Sequence, residues 1–434
     1  MPTTPINISA FEKELVHYDR TLSNYIVSGL KNGFDLGYTG PDLSVFWRNL
    51  KSAYVHPDRV NAYLMNEISL GRIMGPFDNP PFRIFRCSPL GIVPKKIPGK
   101  FRTILNLSAP HGLSVNDFIS KEDYSLTYIS VDKAIDMILS LGKGCYLTKV
   151  DIKDAFRILP IRQSQWHLLG IYWDGKYYYD TRLPMGSRSS PHIFDRVSSA
   201  VEWICQHNYL LQFLCHLLDD FLAAEDPSDK GNARSTLLYV FDILGIPVAP
   251  DKVEGPSTLM EFLGITLDTV EFVASLSAAK IQSLKSKIIS TLSLKKISKR
   301  DLLSLIGSLS FACRVVVPGR SFLSRMISLS CSVRKLNFKI YIRKQVKEDL
   351  RIWLVFLQNW NGRNFFLEKT FTSSFDLDLS TDASIVAMVV SSAVHGLQNF
   401  GVVSKLNGPC HVRSFFLSWS QLPYGASSGA VSAW

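Results

Sequence analysis

The chain has 434 residues, of which 46% are hydrophobic, 12% aromatic and 20% charged, with a formal net charge of +11. That composition excludes an intrinsically disordered chain, and the length exceeds what one hydrophobic core usually serves. No apolar run is long enough to cross a membrane, the opening MPTTPINISAFEKEL lacks the apolar segment of a secretory signal, and the seven cysteines show neither CxxC nor zinc spacing. Reduced thiols in an intracellular protein of the cytoplasm or nucleus, with no membrane partner, are expected.

Residues 1–75 form an N-terminal helical region, with apolar residues at three and four spacing through FEKELVHYDRTLSNYI and VNAYLMNEISLGRI. PFDNPPFRIF then breaks helix. SPLGIVPKKIPGKFRTILNL (88–107) reads as a hairpin with Lys95, Lys96, Lys100 and Arg102 near its tip. SVDKAIDMILSLG is an amphipathic helix ended by glycine, and CYLTKVDI a strand. HLLGIYWDGKYYYDTRLP is a hairpin turning at Asp174-Gly175, SRSSPHIFDRVSSAVEWICQHN a helix, and LLQFLCHLLDDFLAAED a strand, turn and strand. STLLYVFDILGI is a helix and MEFLGITLD a strand, so 76–270 has an α+β pattern. Helices follow through AAKIQSLKSKIISTLSL, KRDLLSLIGSLSFACRVV (stopped at Pro318-Gly319) and IRKQVKEDLRIWLVFLQNW, giving a third unit over 271–365 and a fourth segment over 366–434.

Sixteen Lys or Arg and one acid, Asp301, lie between Lys280 and Lys347, a local charge of +15 that leaves −4 for the rest. Such a block suits a surface that follows a phosphate backbone; a solvated helical face is the plainer alternative.

Within the apolar run LQFLCHLLDDFLAAED, Asp219 and Asp220 stand side by side. Buried unpaired carboxylates are costly, so the run either breaks at an exposed turn or meets positive charge. KVDIKDAF supplies Asp151 at the end of another strand of the same small sheet, with Asp154 three residues on. Three carboxylates gathered on one sheet edge need cations to stay ionised, and an oxygen-only set suits Mg²⁺. Two such ions about 4 Å apart form the clamp used for in-line attack at phosphorus.

The ordered series SPLGIVPKKIPGKFRTILNLS, SVND, LTKVDIKDAF, LPMGSRSSPHIFD, HLLDDF, GIPVAPDKVEGP and FLGITLD resembles the fingers and palm of a reverse transcriptase. It is most similar to retrotransposons of the tyrosine-recombinase (DIRS-like) group, whose thumb SLIGSLSFACRVVVPGRSFL also resembles. The resemblance implies a right-hand polymerase of fingers, palm and thumb: an RNA-directed DNA polymerase, a nucleotidyltransferase using deoxynucleoside triphosphates on an RNA or DNA template–primer duplex. It implies two Mg²⁺ ions, with Mn²⁺ as substitute, held by Asp151, Asp219, Asp220 and the Ile152 carbonyl. Asp154 matches a structural position more than a metal ligand. Phe156 matches the aromatic gate that excludes a ribose 2′-hydroxyl, with ordinary core as the alternative. Lys95, Lys96 and Arg102 match the triphosphate grip, while Lys100 is expected to stay solvated. Met185 and Gly186 match the loop under the nascent base pair. Lys252 matches a proton donor to pyrophosphate, or is a plain surface lysine. Phe262, Leu263 and Gly264 match the primer grip.

Two positions depart from the family: Leu217 stands where Tyr is usual, and Met185 where Phe or Gln is common. A third departure is the tail. DLDLSTDAS resembles the first strand of an RNase H domain, with Asp382 as its first metal carboxylate, yet no Asp or Glu follows from Ile385 to Trp434. An RNase H site needs about four carboxylates, so no RNase H activity is expected. Codons permitted for IVAMVVSSAVHGL, read one base out of step, can yield SGYGGVFGSTW, similar to the missing strand. A frameshift just after Ser384 and a poorly packed tail are therefore expected. An alternative from another class is a catalytically inactive nucleic-acid-binding remnant; a nucleotide cyclase would need neither the basic block nor LPMG.

Overall fold

Leu147 and Val150 in CYLTKVDI, three residues apart and so on opposite faces of a strand, are both fully buried, as expected if Tyr146–Asp151 is an inner strand covered on both faces. In the computed structural model, which describes residues 3–94, 99 and 101–359 and only the backbone of 364–365, 379–383 and 388–392, this strand sits in a four-stranded antiparallel sheet. The spatial order is Glu254–Ser257, Tyr146–Asp151, Asp220–Glu225, Leu214–Leu217. Helices Val131–Leu141, Ser190–His207 and Asn232–Ile243 pack on it. Ser130 caps the first by accepting from the Asp132 amide, and Gly142 ends it at φ 89°.

A second sheet runs Val45–Phe46, Arg86–Cys87, Gly170–Trp173, Lys176–Asp180, Ile73–Phe77. Its hairpin turns on Asp174 (φ 48°) and Gly175 (φ 75°), both left-handed as a two-residue turn requires. Ile73–Phe77 corrects the expectation that residues 1–75 are helical up to a helix-breaking stretch. It pairs at the sheet's edge, where Pro76 leaves no inner ladder bond unmade. Leu90–Pro94 and Phe101–Leu105 form the expected basic hairpin; Lys95, Lys96 and Lys100 lie outside the described residues.

The N-terminal helices Ile8–Glu14 and Arg20–Asn32 have no core of their own. Phe11, Ile26 and Leu30 share one cluster with Val150, Phe194 and Phe221. Each such side chain contributes about 1.5–3 kcal/mol by leaving water. The chain divides into two compact units, 1–260 and 261–434, so the helical region belongs with the central sheet. The expected boundary at 270/271 falls one hairpin later than this division.

In the second unit, helices Ala278–Ser293, Lys299–Ala312, Ser324–Cys331 and Lys344–Asn359 dominate. The helix expected to run up to Pro318-Gly319 ends earlier, at Ala312, and Pro318-Gly319 lies inside the 3₁₀ turn Val317–Phe322; the glycine has a packing reason, since a Cβ there would lie 2.3 Å from the buried Trp353 ring. Two strands of three residues, Lys296–Ser298 and Lys339–Tyr341, form a ribbon that the helical reading missed. Asp382 lies on a strand, Leu379–Ala383, paired with Met388–Ser392; so five residues beyond Ser384 do form a strand, and the rest of the expected disorganised tail falls outside the described residues. Among the described residues no helix is long and apolar enough to cross a membrane.

Candidate active site

Strand register decides where the carboxylates meet. Asp220 is the Cα partner of Asp151 across neighbouring strands, and the Ile152 amide donates to the Asp219 carbonyl at 3.0 Å. The hairpin carrying Asp219 and Asp220 turns through Leu218 at φ 55°, a left-handed conformation uncommon outside glycine. Asp151 is buried at 6%, while Asp219 and Asp220 are half-buried. The three are one electrostatic group. Burial, then the charges of Asp219 and Asp151, then a side-chain hydrogen bond with Asp151, push the Asp220 carboxyl up to about 6. Asp219 is likewise raised, by burial first and by Asp151.

The neighbouring positive charge is Lys252. Its Nζ donates to Asp151 Oδ2 at 2.8 Å, and this bond holds the ammonium above its ordinary pKa. The Lys252 side chain remains 54% exposed, so it can leave without a packing cost. Among the described residues no three His, Cys, Asp or Glu side chains close on a common point as they stand. The donor set nonetheless suits a hard divalent cation: three carboxylates whose mutual repulsion already raises two of them, beside a carbonyl. That carbonyl is Ile152's; the adjacent bridge to Val248 runs through the Asp151 carbonyl and the Lys153 amide and leaves it outside.

Directly after the Asp151 strand the backbone turns through Asp154 (φ 60°) and Ala155 (φ 31°) into a short 3₁₀ turn, Ala155–Ile158. Asp154 does not join the three acids: it accepts from Arg72 Nη2 at 2.5 Å. Phe156 is half-buried edge-on to Phe194, ring centroids 5.0 Å apart. Arg157, next along, is buried between Glu67 and Asp180 (2.7 and 2.6 Å). A hollow of about 460 Å³ is lined by Arg59, Arg72, Arg102, Asp154 and Met185 among others, so Arg102 and Met185 face one space. Gly186 has φ 109° and its carbonyl accepts from Asn116 Nδ2 at 2.9 Å.

At the other predicted positions, Phe262 is buried at 1%, whereas Leu263 (φ 48°) and Gly264 (φ 80°) form the turn into Ile265–Asp268. Any ligand at this turn meets backbone rather than the Phe262 ring. Lys280 Nζ staples the turn, donating to the Gly264 carbonyl at 2.6 Å and Glu261 Oε1 at 2.7 Å.

Four positioning residues escaped sequence reasoning. Asn116 sits in the quoted SVND, but its role needs the fold: besides Gly186 it takes the Arg188 amide at 2.8 Å. Arg72 and Arg157 find their acids across long sequence separations. His216, three residues before Asp219, is buried with Nδ1 against Glu202 and Nε2 3.5 Å from Asp195, both on helix Ser190–His207. Only its position beside the paired acids hinted at this.

No protein-family model matches the chain. It is 26% identical over 207 residues to the Pro-Pol polyprotein of Simian foamy virus type 1, covering 45% of this chain and 17% of that one. It is 24% identical over 199 residues to the Gag-Pro-Pol polyprotein of Human T-cell leukemia virus 2, covering 44% and 12%. The chain thus spans less than a fifth of either relative. Among solved structures, it superposes on the foamy viral protease-reverse transcriptase dRH in complex with ds DNA with a TM-score of 0.55 at 16% identity, covering 94% of this chain and 69% of that one. For the foamy viral protease-reverse transcriptase in complex with RNA/DNA hybrid the TM-score is 0.57 at 15% identity, covering 93% and 52%. These likenesses establish the fold, α+β and of the right-hand polymerase type.

Proposed function

From that fold we propose that the chain is an RNA-directed DNA polymerase of a retroelement, of the tyrosine-recombinase (DIRS-like) kind that its motifs resemble. It would extend a primer 3′-hydroxyl with deoxynucleotides and release pyrophosphate. The observation that carries this reading is the pairing of Asp151 with Asp220, with Asp219 at the adjoining turn. Separate faces for these acids would have removed its basis.

Asp151, Asp219, Asp220 and the Ile152 carbonyl would hold two Mg²⁺ ions, or Mn²⁺. Bound there, the ions would supply charge neutralisation and Lewis-acid activation for attack at the α-phosphate. The chain's own residues do the rest by positioning and fixed charge. Arg102, with Lys95 and Lys96 on the same hairpin, would bind the triphosphate, the guanidinium donating in a fork. Phe156, braced by Phe194, would deny space to a 2′-hydroxyl. Asn116 fixes the Gly186 carbonyl, so the Met185-Gly186 loop can lie under a base pair without shifting. Lys252 is kept protonated by Asp151 and would deliver that proton to departing pyrophosphate. The Leu263-Gly264 backbone would meet the primer, and the basic second unit the phosphates of the duplex.

Two observations favour a second reading, an inactive nucleic-acid-binding remnant: Leu217 stands where a tyrosine is usual, and Lys252 occupies an Asp151 oxygen. Extension of oligo(dT) on poly(rA) with Mg²⁺ or Mn²⁺ separates the two. Synthesis supports the polymerase; duplex binding without synthesis under either ion supports the remnant.

A further inference from the structure

The ribbon Lys296–Ser298/Lys339–Tyr341 shows two chemically different faces. Ile297 and Ile340, directly paired, are buried at 4% and 7%. The opposite face carries the pairs Lys296–Tyr341 and Ser298–Lys339, with Lys296 Nζ 4.4 Å over the Tyr341 ring. Beside it lies an open hollow of about 690 Å³ lined by Arg300, Lys335, Leu336, Asn337, Phe338 and Lys339. Backbone bonds fix its wall: the Lys299 and Arg300 amides donate to the Phe338 and Leu336 carbonyls, both at 2.9 Å.

Three apolar side chains are left in water here, with Leu336 47%, Phe338 54% and Tyr341 66% exposed. The two chain segments that form this region are basic. Residues 295–300 and 334–344 contain nine Lys or Arg and no Asp or Glu. The nearest acid, Asp301, accepts from the Ser298 hydroxyl at 2.6 Å as part of a helix cap. Among the described residues, the ion pairs of this unit are Lys280–Glu261 and Arg325–Asp349, so none of these nine cations is paired with a carboxylate.

Exposed rings interleaved with unpaired cations define the occupant. An apolar protein face or a lipid tail would cover the rings but leave the cations without counter-charge, and duplex nucleic acid hides its base faces and needs only the cations. A single strand offers both parts: phosphates for the Lys and Arg, and unstacked bases for the rings. We infer that this ribbon and hollow form a binding site for single-stranded nucleic acid, with Phe338 and Tyr341 as stacking platforms and Arg300, Lys335 and Lys339 as phosphate contacts. The inference deepens the proposed function by naming a place for the unpaired strand. It rests on that reading only for the partner's identity.

The test measures fluorescence anisotropy of the full chain with labelled oligo(dT), with the same length of abasic strand, and with blunt duplex. The parent is compared with Phe338→Ser/Tyr341→Ser and with Phe338→Trp/Tyr341→Phe. With base stacking at about 1–3 kcal/mol per base, the Ser variant should lose roughly tenfold or more in oligo(dT) affinity. Its affinity for abasic strand and duplex should stay within about twofold, and the aromatic variant should bind as the parent does. Equal oligo(dT) affinity in parent and Ser variant, or an equal loss on all three ligands, overturns the assignment. Failure of the polymerase reading would appear instead in primer extension by the parent, which this binding ratio does not depend on.

Discussion

Arg157→Met isolates the buried ion group beside the candidate site. Arg157 (9% exposed) donates through Nε and Nη2 to Glu67 Oε2 at 3.1 and 2.7 Å, and through Nη1 to Asp180 Oδ2 at 2.6 Å. Without it, Glu67 keeps Arg72 at 3.6 Å and the Asn66 side-chain amide at 3.5 Å, and Asp180 keeps the Arg182 amide at 2.9 Å. Burial already holds the Asp180 carboxyl above its ordinary range despite Arg157, so its loss leaves an acid that is expensive to ionise. Breaking a buried pair in this way costs about 3–5 kcal/mol. Urea unfolding of the first unit at pH 7.5 should show that loss. At pH 5 it should shrink by about half, because the orphaned carboxyls take up protons. Replacing all three charges, Arg157→Met/Glu67→Gln/Asp180→Asn, should recover most of the stability. A loss below about 1 kcal/mol, or one equal at both pH values, would refute the reasoning. Phe156 precedes Arg157 in the same 3₁₀ turn, so the single variant should also discriminate less against ribonucleotides.

Other outcomes follow from the same physics. For His216, burial lowers the imidazole pKa, but Asp195 and Glu202 together outweigh it and push it up to about 9. A raised histidine contributes stability that is full below its unfolded value near 6.5 and is lost as pH rises through about 9. Unfolding should therefore become easier by about 3 kcal/mol between pH 6.5 and 9, and His216→Gln should flatten that profile. For Asp220, held near 6 by burial and its two neighbours, the sign reverses: ionisation costs stability as pH rises from about 4 to 6. Asp220→Asn should thus melt higher than the parent at pH 7.5 in chelator, by about 1 kcal/mol after allowance for solvent screening. Gly186→Ala places a Cβ 3.3 Å from the Leu105 carbonyl at φ 109°, and should lower thermal stability by about 1 kcal/mol or more.

Much of the site was legible because strands encode it locally. The short apolar and β-branched run CYLTKVDI and the apolar run around Asp219-Asp220 place both acids at strand ends, and antiparallel pairing then sets Asp151 opposite Asp220. What stayed hidden depends on distance or brevity. Glu67 and Arg157 are 90 residues apart with no periodicity linking them. Lys252 reaches Asp151 across 101 residues. Ile73–Phe77 contains Gly75 and Pro76, which read as a break and are tolerated only because the strand is an edge. The strands of the basic ribbon have three residues each, too few for a period of two to stand out.

The most direct measurement compares primer extension by the parent and Asp219→Asn on poly(rA)/oligo(dT) with Mg²⁺, alongside their affinity for the same duplex. The expected result is synthesis by the parent, none by the variant, and duplex affinity unchanged within about twofold, since the substitution touches charge at the acid cluster and not the phosphate contacts. Synthesis by Asp219→Asn at the parent's rate would contradict the claim that these three carboxylates act as one catalytic centre.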